Sequence, residues 1–181
     1  MRVLVFCLAF LLSCGSEDHT NPLHPVVPDR GHEKKIVLDE ELAPYVWSFE
    51  ADWQKNHFGL PEIEDLIVEF GVIEQDPETP TFILGKCYVK QDTTPRIVID
   101  TTRWDKMSDV RRETLMYHEL GHCALFRQHV EGVNTSIMNP LLISSKTYEE
   151  NREELLEELF DPNKYNDWKV LGLHDHTDCN H

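Results

Sequence analysis

The stretch His118-Glu119-Leu120-Gly121-His122 decides the fold expected for this chain. Residues four apart on an α-helix lie on one face, one turn from each other, because a turn takes about 3.6 residues. Both imidazoles can therefore reach one metal ion, and zinc accepts neutral imidazole nitrogens at about 2.0–2.1 Å. Glu119 lies about 100° further round the helix, where it can act as a base on a nearby water. The spacing predicts a hydrolytic zinc site whose third ligand lies elsewhere in the chain.

The sequence around this stretch predicts a buried helix. Ser108 is a good N-cap and Asp109 places an acid in the first turn. One side of the helix is apolar and faces a core, through Val110, Leu115, Met116, Leu120, Ala124 and Leu125. The alternative is an ordinary amphipathic helix whose polar stripe happens to carry two histidines. A buried polar group without a partner is costly, which favours the metal site.

His129 is the first candidate for the third ligand, eleven residues after His118. A continuing helix would put it about 10 Å along the axis from His122, beyond the reach of one ion. We therefore expect the helix to end near residues 125–127 and the chain to turn back. The competing ligands are glutamates of the acidic segment 148–160, which otherwise reads as a solvated helix face. They are Glu149, Glu150, Glu153 and Glu154.

The two histidines, the later His129 and the segment 136–140 (Ser-Ile-Met-Asn-Pro) together resemble the metzincin clan of zinc endopeptidases, and its matrixin-like members in particular. The resemblance implies a zincin-like fold with one catalytic zinc ion and a turn methionine beneath it. It also implies an edge strand that pairs with the extended substrate, and it favours His129 over the glutamates. The implied residues are His118, His122 and His129 as ligands, Glu119 as general base, and Met138 in the turn.

Two departures from the clan pattern concern the turn before His129. The clan places a glycine three residues after the second histidine, to allow a left-handed backbone, and this chain has Leu125 there. The third histidine also comes one residue later, and we expect the extra residue to supply the missing reach. In addition, Pro140 stands where some members carry a tyrosine for the oxyanion, which leaves Tyr148 as a weak candidate. The chain therefore resembles a divergent, bacterial relative.

The order of elements agrees with an α+β class. Strands are predicted at 36–39, 66–73, 81–89 and 96–100, and an amphipathic helix at 41–57 precedes the last three. The histidine helix and the acidic helix follow. We expect a single zincin-like domain over 36–173, with a mixed twisted sheet, an N-terminal helix, a zinc-binding active-site helix and a C-terminal helix.

The N-terminal segment resembles an export signal. Residues 1–13 carry one positive charge and an apolar run too short to span a bilayer, as in a signal peptide. Leu11-Leu12-Ser13-Cys14 resembles a bacterial lipobox, which makes Cys14 the lipidation site and 14–35 a flexible tether. We expect an exported, membrane-anchored bacterial lipoprotein, with secretion after ordinary cleavage as the alternative. The His-rich tail 174–181 is expected to be disordered rather than a second metal site.

The net charge limits the expected partners, and the cysteine count limits the possible disulfides. The formal net charge is −16 for the whole chain and −17 once residues 1–13 are removed. This excludes nucleic acid and direct electrostatic binding to anionic membranes as expected partners. If Cys14 is acylated, Cys87, Cys123 and Cys179 remain, an odd number, so at least one is unpaired within the chain. A Cys87–Cys123 disulfide is one possibility that the sequence leaves open.

The function predicted from these features is a monomeric zinc-dependent endopeptidase that acts on a peptide or protein substrate. Glu119 is present, although chemistry needs it and metal binding does not. The alternative is a catalytically inactive zincin-fold lipoprotein that binds zinc or a partner, because the histidine spacing is unusual.

Overall fold

The protein is described by a computed structural model, which covers residues 36–56, 63, 65–78, 81–90, 93–131 and 135–164. The predicted signal peptide, the tether with Cys14 and the tail 174–181 lie outside the described residues. Within them, no helix combines the length and the apolar character needed to cross a membrane.

The described residues form a small α+β structure, as predicted. The chain begins with β1 (Ile36–Leu38), α1 (Ala43–Asn56), β2 (Leu66–Gly71), β3 (Gly85–Tyr88) and β4 (Arg96–Asp100). It continues with α2 (Thr101–Trp104), α3 (Asp109–Leu125), α4 (Ser145–Glu150) and α5 (Arg152–Leu159), and a 3₁₀ turn follows at Pro162–Lys164. The zincin-like identity of the fold stays a prediction.

Two predicted elements differ in extent from the structure, and one short helix was not predicted. The acidic segment 148–160 is not one helix, because the chain breaks at Asn151 between α4 and α5. The strand predicted at 81–89 is ordered as β only from Gly85 to Tyr88. The short helix α2 was not predicted; Asp100 caps it by accepting a hydrogen bond from the Thr102 amide at 2.9 Å.

The four strands form one mixed sheet in the order β1-β2-β4-β3. β1 pairs with β2 and β2 with β4, both in parallel, whereas β3 pairs antiparallel with β4. The prediction of a mixed sheet is confirmed. Among the described strands, β3 therefore stands at one edge of the sheet, with β4 as its antiparallel neighbour.

The main core lies between the sheet and the helices. Alternate strand residues such as Ile97 and Ile99 face α1 and α3. The rings of Phe49 and Tyr117 make an edge-to-face contact with their centroids 5.2 Å apart. α3 packs against β3, β4, α1 and α4. On the other face, Val98 forms a smaller cluster with Ile73 and Ile83. Most of α3 is consequently buried.

The connection before β3 is fixed by two polar side chains. Gln75 bonds both the amide and the carbonyl of Ile83, each at 2.9 Å. The buried Asp100 accepts a hydrogen bond from the Ile73 amide at 3.1 Å, and its own amide donates to Leu84 at 2.9 Å. These bonds bring the start of β3 to the end of β4, beside α3.

Candidate metal centre

Three imidazoles converge at the end of α3. We call His118, His122 and His129 the histidine cluster; the first two are buried and the third is half-buried. The Nε2 atoms of His118 and His122 are 3.0 Å apart. The Nε2 atom of His129 lies 3.2 Å from that of His122 and 3.3 Å from that of His118. The structure therefore brings together all three residues that the sequence pattern selected.

Backbone carbonyls set the protonation of two of these rings. Nδ1 of His118 lies 2.7 Å from the carbonyl oxygen of Ile137, and Nδ1 of His122 lies 2.6 Å from that of Arg127. A carbonyl oxygen only accepts, so each Nδ1 carries the proton and donates it. In a neutral imidazole the lone pair then belongs to Nε2, the atom that points into the cluster.

The spacing of the nitrogens fits a single metal ion. Three imidazole nitrogens at about 2.0–2.1 Å from one tetrahedral ion lie about 3.3–3.4 Å from one another. The observed separations of 3.0, 3.2 and 3.3 Å are close to that spacing. Lone pairs at such distances repel, and a shared cation converts the repulsion into coordination. The cluster can therefore hold a metal ion through three nitrogen ligands.

Phe126 makes the turn that carries the chain back to the cluster. α3 ends at Leu125, and Phe126 adopts a left-handed conformation with φ 53° and ψ 33°. The amides of Phe126 and Arg127 then both donate to the carbonyl of Gly121, the second at 2.9 Å, and these bonds close the end of the helix. The clan pattern has its left-handed glycine at the position that Leu125 occupies in this chain. The left-handed residue here, Phe126, lies one residue later, which matches the one-residue delay of His129.

Met138 lies against α3 directly beside the ligands. It sits in a turn closed by the Asn139 amide, which donates to Ser136 at 3.1 Å, and its carbonyl accepts from Val130 at 2.8 Å. A Cβ atom at Gly121 would lie 2.5 Å from the Met138 sulfur, so only glycine allows this approach. The fully buried Met138 thus joins the segment after His129 to the helix that carries His122.

Glu119 is fully buried and its carboxylate lies against the edge strand β3. A Cβ atom at Gly85 would stand 2.6 Å from Glu119 Oε1 and 2.9 Å from its Cδ. The same strand is tied to α3 by a disulfide between Cys87 and Cys123. That pairing was one the sequence left open. The carboxylate of Glu119, the residue after His118 on the helix, thus lies against the start of β3.

The competing candidates lie elsewhere. Glu149, Glu150, Glu153 and Glu154 are exposed, and Glu150 pairs with Lys146 at 3.8 Å. The hydroxyl of Tyr148, the weak oxyanion candidate, is buried and donates to Glu113 at 2.8 Å. Among the described residues, these glutamates do not join the histidines in a metal-binding group.

The sequence did not predict the ion pair between Arg127 and Glu158, which lies behind His122. The buried Arg127 donates to Glu158 Oε1 at 2.7 Å, although 31 positions separate them. Burial raises the pKa of Glu158, but hydrogen bonds from Arg127, Ser136 and Lys164 outweigh it and leave the pKa below the usual value. Residue spacing carries no signal for such a contact, because both residues read as ordinary surface charges.

A second set of polar groups, some buried and some half-buried, lies further towards the start of α3. We call Asp52, Glu113, Tyr117, Tyr148 and Arg152 the acid–arginine network. Arg152 donates to Asp52 at 2.6 Å and to Glu113 at 2.8 Å, and the Tyr117 hydroxyl donates to Asp52 at 2.8 Å. Burial raises the pKa of Asp52, yet bonds from Arg152, Lys55 and Tyr117 hold it below its ordinary range. Burial and the bond to Asp52 raise the pKa of Tyr117.

Comparison with protein-family models, with curated proteins and with solved structures finds no match to this chain. The site therefore has to be argued from its own geometry.

Proposed function

We propose that this protein is a zinc-dependent endopeptidase, with His118, His122 and His129 as the zinc ligands and Glu119 as the general base. The observation that carries the proposal is the convergence of three Nε2 atoms within 3.0–3.3 Å, next to a buried carboxylate on the same helix. Zinc is the metal of choice because three imidazoles with one open position are typical of catalytic zinc sites.

The zinc ion would supply a Lewis acid that lowers the pKa of water towards about 7 and polarises a peptide carbonyl. The remaining steps belong to this chain's own residues. Glu119 takes the proton of the attacking water on a carboxylate oxygen and later delivers it to the leaving amine. The bonds from His118 and His122 to backbone carbonyls hold the ring orientation throughout.

The edge strand β3 is suited to hold an extended peptide. The amide of Asp100 bonds the carbonyl of Leu84, so the alternating pattern directs the main-chain groups of Lys86 towards β4 as well. The main-chain groups of Gly85 and Cys87 then face away from β4, on the side of β3 where the described residues place no further strand. A substrate strand added there would bond to Gly85, which touches Glu119. This supports peptide as the substrate class.

The disulfide favours an oxidising compartment and so supports the proposed export of the chain. Disulfides persist in secreted, periplasmic and surface proteins and are rare in the cytosol. The Cys87–Cys123 bond joins two buried sulfur atoms between β3 and α3. We accordingly keep the membrane-anchored lipoprotein, with Cys14 as the lipid site, as part of the proposal.

The experiment that tests the function compares zinc-loaded full-length wild type with Glu119→Gln on a peptide library read by mass spectrometry. Glu157→Gln, at an exposed position of α5, is the matched control. Loss of the general base should lower kcat by roughly 10²–10⁴-fold while bound zinc, measured in the same samples, stays at the wild-type level.

Two results would overturn the proposal. Equal cleavage by wild type and Glu119→Gln would remove Glu119 as the base. No cleavage by zinc-loaded wild type would leave the alternative, a zinc-binding or interaction protein without activity.

A further inference from the structure

Arg127 holds the ring of His122 from outside the cluster. Its carbonyl accepts the Nδ1 proton of His122 at 2.6 Å. Its guanidinium, nearly inaccessible to solvent, donates to the carbonyls of Glu158 at 2.8 Å and Leu159 at 2.7 Å. It also donates to the Glu158 carboxylate. The backbone that orients His122 is therefore tied to the last turn of α5.

Ser136 holds the ring of His118 in a corresponding way. Its hydroxyl donates to Glu158 Oε2 at 2.8 Å and accepts from the Met138 amide at 3.1 Å. Ile137, between Ser136 and Met138 in the chain, supplies the carbonyl that accepts from His118 Nδ1 at 2.7 Å. The turn that orients His118 is thus tied to the same carboxylate.

We propose that Glu158 is a positioning residue for the metal centre. One of its carboxylate oxygens holds Arg127 and the other holds Ser136, so it fixes both backbone segments whose carbonyls orient His118 and His122. It acts through those segments and does not touch the ion. The acidic segment, considered above as a source of a ligand, contributes in this way to the alignment of the ligands.

Burial distinguishes Glu158 from its neighbours on the acidic segment. Its side chain is 20% exposed, whereas Glu153, Glu154 and Glu157 are exposed side chains. The buried guanidinium of Arg127 needs an opposite charge at this position, since an uncompensated buried charge is strongly destabilising. Outer partners of metal-bound histidines typically change metal affinity by about 10–100-fold.

The test measures Co²⁺ binding to the full chain, because the visible spectrum of Co²⁺ reports ligand geometry directly. Wild type, Glu158→Gln and the exposed control Glu157→Gln are titrated with Co²⁺, and the unfolding midpoint of each metal-free protein is recorded. We expect Glu158→Gln to bind Co²⁺ about 10–100-fold more weakly, with an altered visible spectrum. The control should match wild type in both.

Ser136→Ala keeps the inference testable if Glu158→Gln does not fold. It removes one of the two ties and leaves the Arg127–Glu158 pair in place, so we expect a smaller loss of Co²⁺ affinity and again an altered spectrum. Variants that fold, bind Co²⁺ as wild type does and show its spectrum overturn the inference, even if their unfolding midpoints fall.

The inference rests on the metal site of the proposed function, and the wild-type titration separates the two. Failure of the wild type to bind Co²⁺ or Zn²⁺ would overturn the metal site itself and the inference with it. Normal binding by wild type together with normal binding by the variants would overturn only the role of Glu158.

Discussion

Helix α3 contributes residues to two polar groupings, the acid–arginine network and the histidine cluster. They differ in whether the charges of the facing groups complement each other. In the acid–arginine network, the carboxylates of Asp52 and Glu113 face the guanidinium of Arg152, and two tyrosine hydroxyls donate to them. In the histidine cluster, three nitrogens of one kind face each other at 3.0–3.3 Å. Complementary groups stabilise a fold by themselves, whereas converging like groups are arranged for something added between them. We therefore interpret the network as structural and the cluster as the site.

The largest expected effect comes from His129→Ala. Removal of a ligand should weaken zinc binding by more than the roughly 10–100-fold that the loss of an outer partner causes, and peptide cleavage should disappear with it. The measurement is bound zinc after equilibrium competition with a chelator, and Gln128→Ala, an exposed neighbour, is the control. Full retention of zinc by His129→Ala would remove His129 from the set of ligands.

Asp52→Ala should affect the network and leave the cluster intact. Asp52 is buried and accepts from Tyr117, Arg152 and Lys55. Its removal should lower the free energy of unfolding by about 1–3 kcal/mol, because the buried Tyr117 hydroxyl loses its acceptor and Arg152 loses one of its two carboxylate partners. Urea unfolding of the metal-free protein measures this loss, with exposed Gln54→Ala on the same helix as control.

The distinction between a structural network and a metal-binding cluster fails if the folded Asp52→Ala protein also loses zinc affinity. Such a result would show that the network and the cluster are one coupled unit rather than a structural part and a site.

The free energy of unfolding should fall as the pH is lowered. The pKa of Asp52 and that of Glu158 both lie below their ordinary values in the folded protein. The unfolded chain therefore binds more protons than the folded one at pH values near 4, and stability falls as the pH drops towards the folded pKa values. The stability that these groups contribute is present above the unfolded pKa values.

This pH effect is measured by urea unfolding of the metal-free protein from about pH 5 down to about pH 3, below the normal histidine range. The decline should be shallower in Asp52→Asn, which cannot titrate at that position. An equal decline in both proteins would mean that Asp52 is not held in its charged form by the network.

Local pattern predicted much of the fold because local physics decides those parts. The strand-forming run Ile97-Val98-Ile99 predicted β4 with its observed bounds, Arg96–Asp100, and Ser108 caps α3 as expected from its residue type. The four-residue spacing of His118 and His122 fixed two candidate ligands for the same reason. His129 was favoured by its closeness in sequence and by the resemblance, on condition that the helix end near residues 125–127, and α3 does end at Leu125.

Contacts between distant residues account for what the sequence did not predict. Arg127 and Glu158 pair through the tertiary fold, and neither residue type at its position indicates burial. The cysteine count left several pairings open, and only the placement of β3 on α3 selects Cys87 with Cys123. The break at Asn151 is another example, because the run of glutamates in the acidic segment continues on both sides of it.

The smallest effect is expected at Phe126, where the turn to His129 departs from the glycine pattern. Among the described residues, Phe126 is the non-glycine residue with positive φ, a conformation that costs L-residues roughly 1–2 kcal/mol. Phe126→Gly removes this cost but loses side-chain packing and adds freedom to the unfolded chain. The stability of Phe126→Gly should therefore stay within about 1 kcal/mol of wild type, with zinc affinity retained.

Phe126→Val is the informative partner of that variant, because a β-branched residue tolerates positive φ least. We expect it to lower both the unfolding free energy and the zinc affinity, since the turn that returns His129 would be forced towards another conformation. Urea unfolding and chelator competition on both variants measure the two quantities. Equal zinc binding by Phe126→Gly and Phe126→Val would mean that the histidine cluster does not depend on the left-handed turn. The site would then owe its geometry to the ties between Arg127, Ser136 and Glu158 alone.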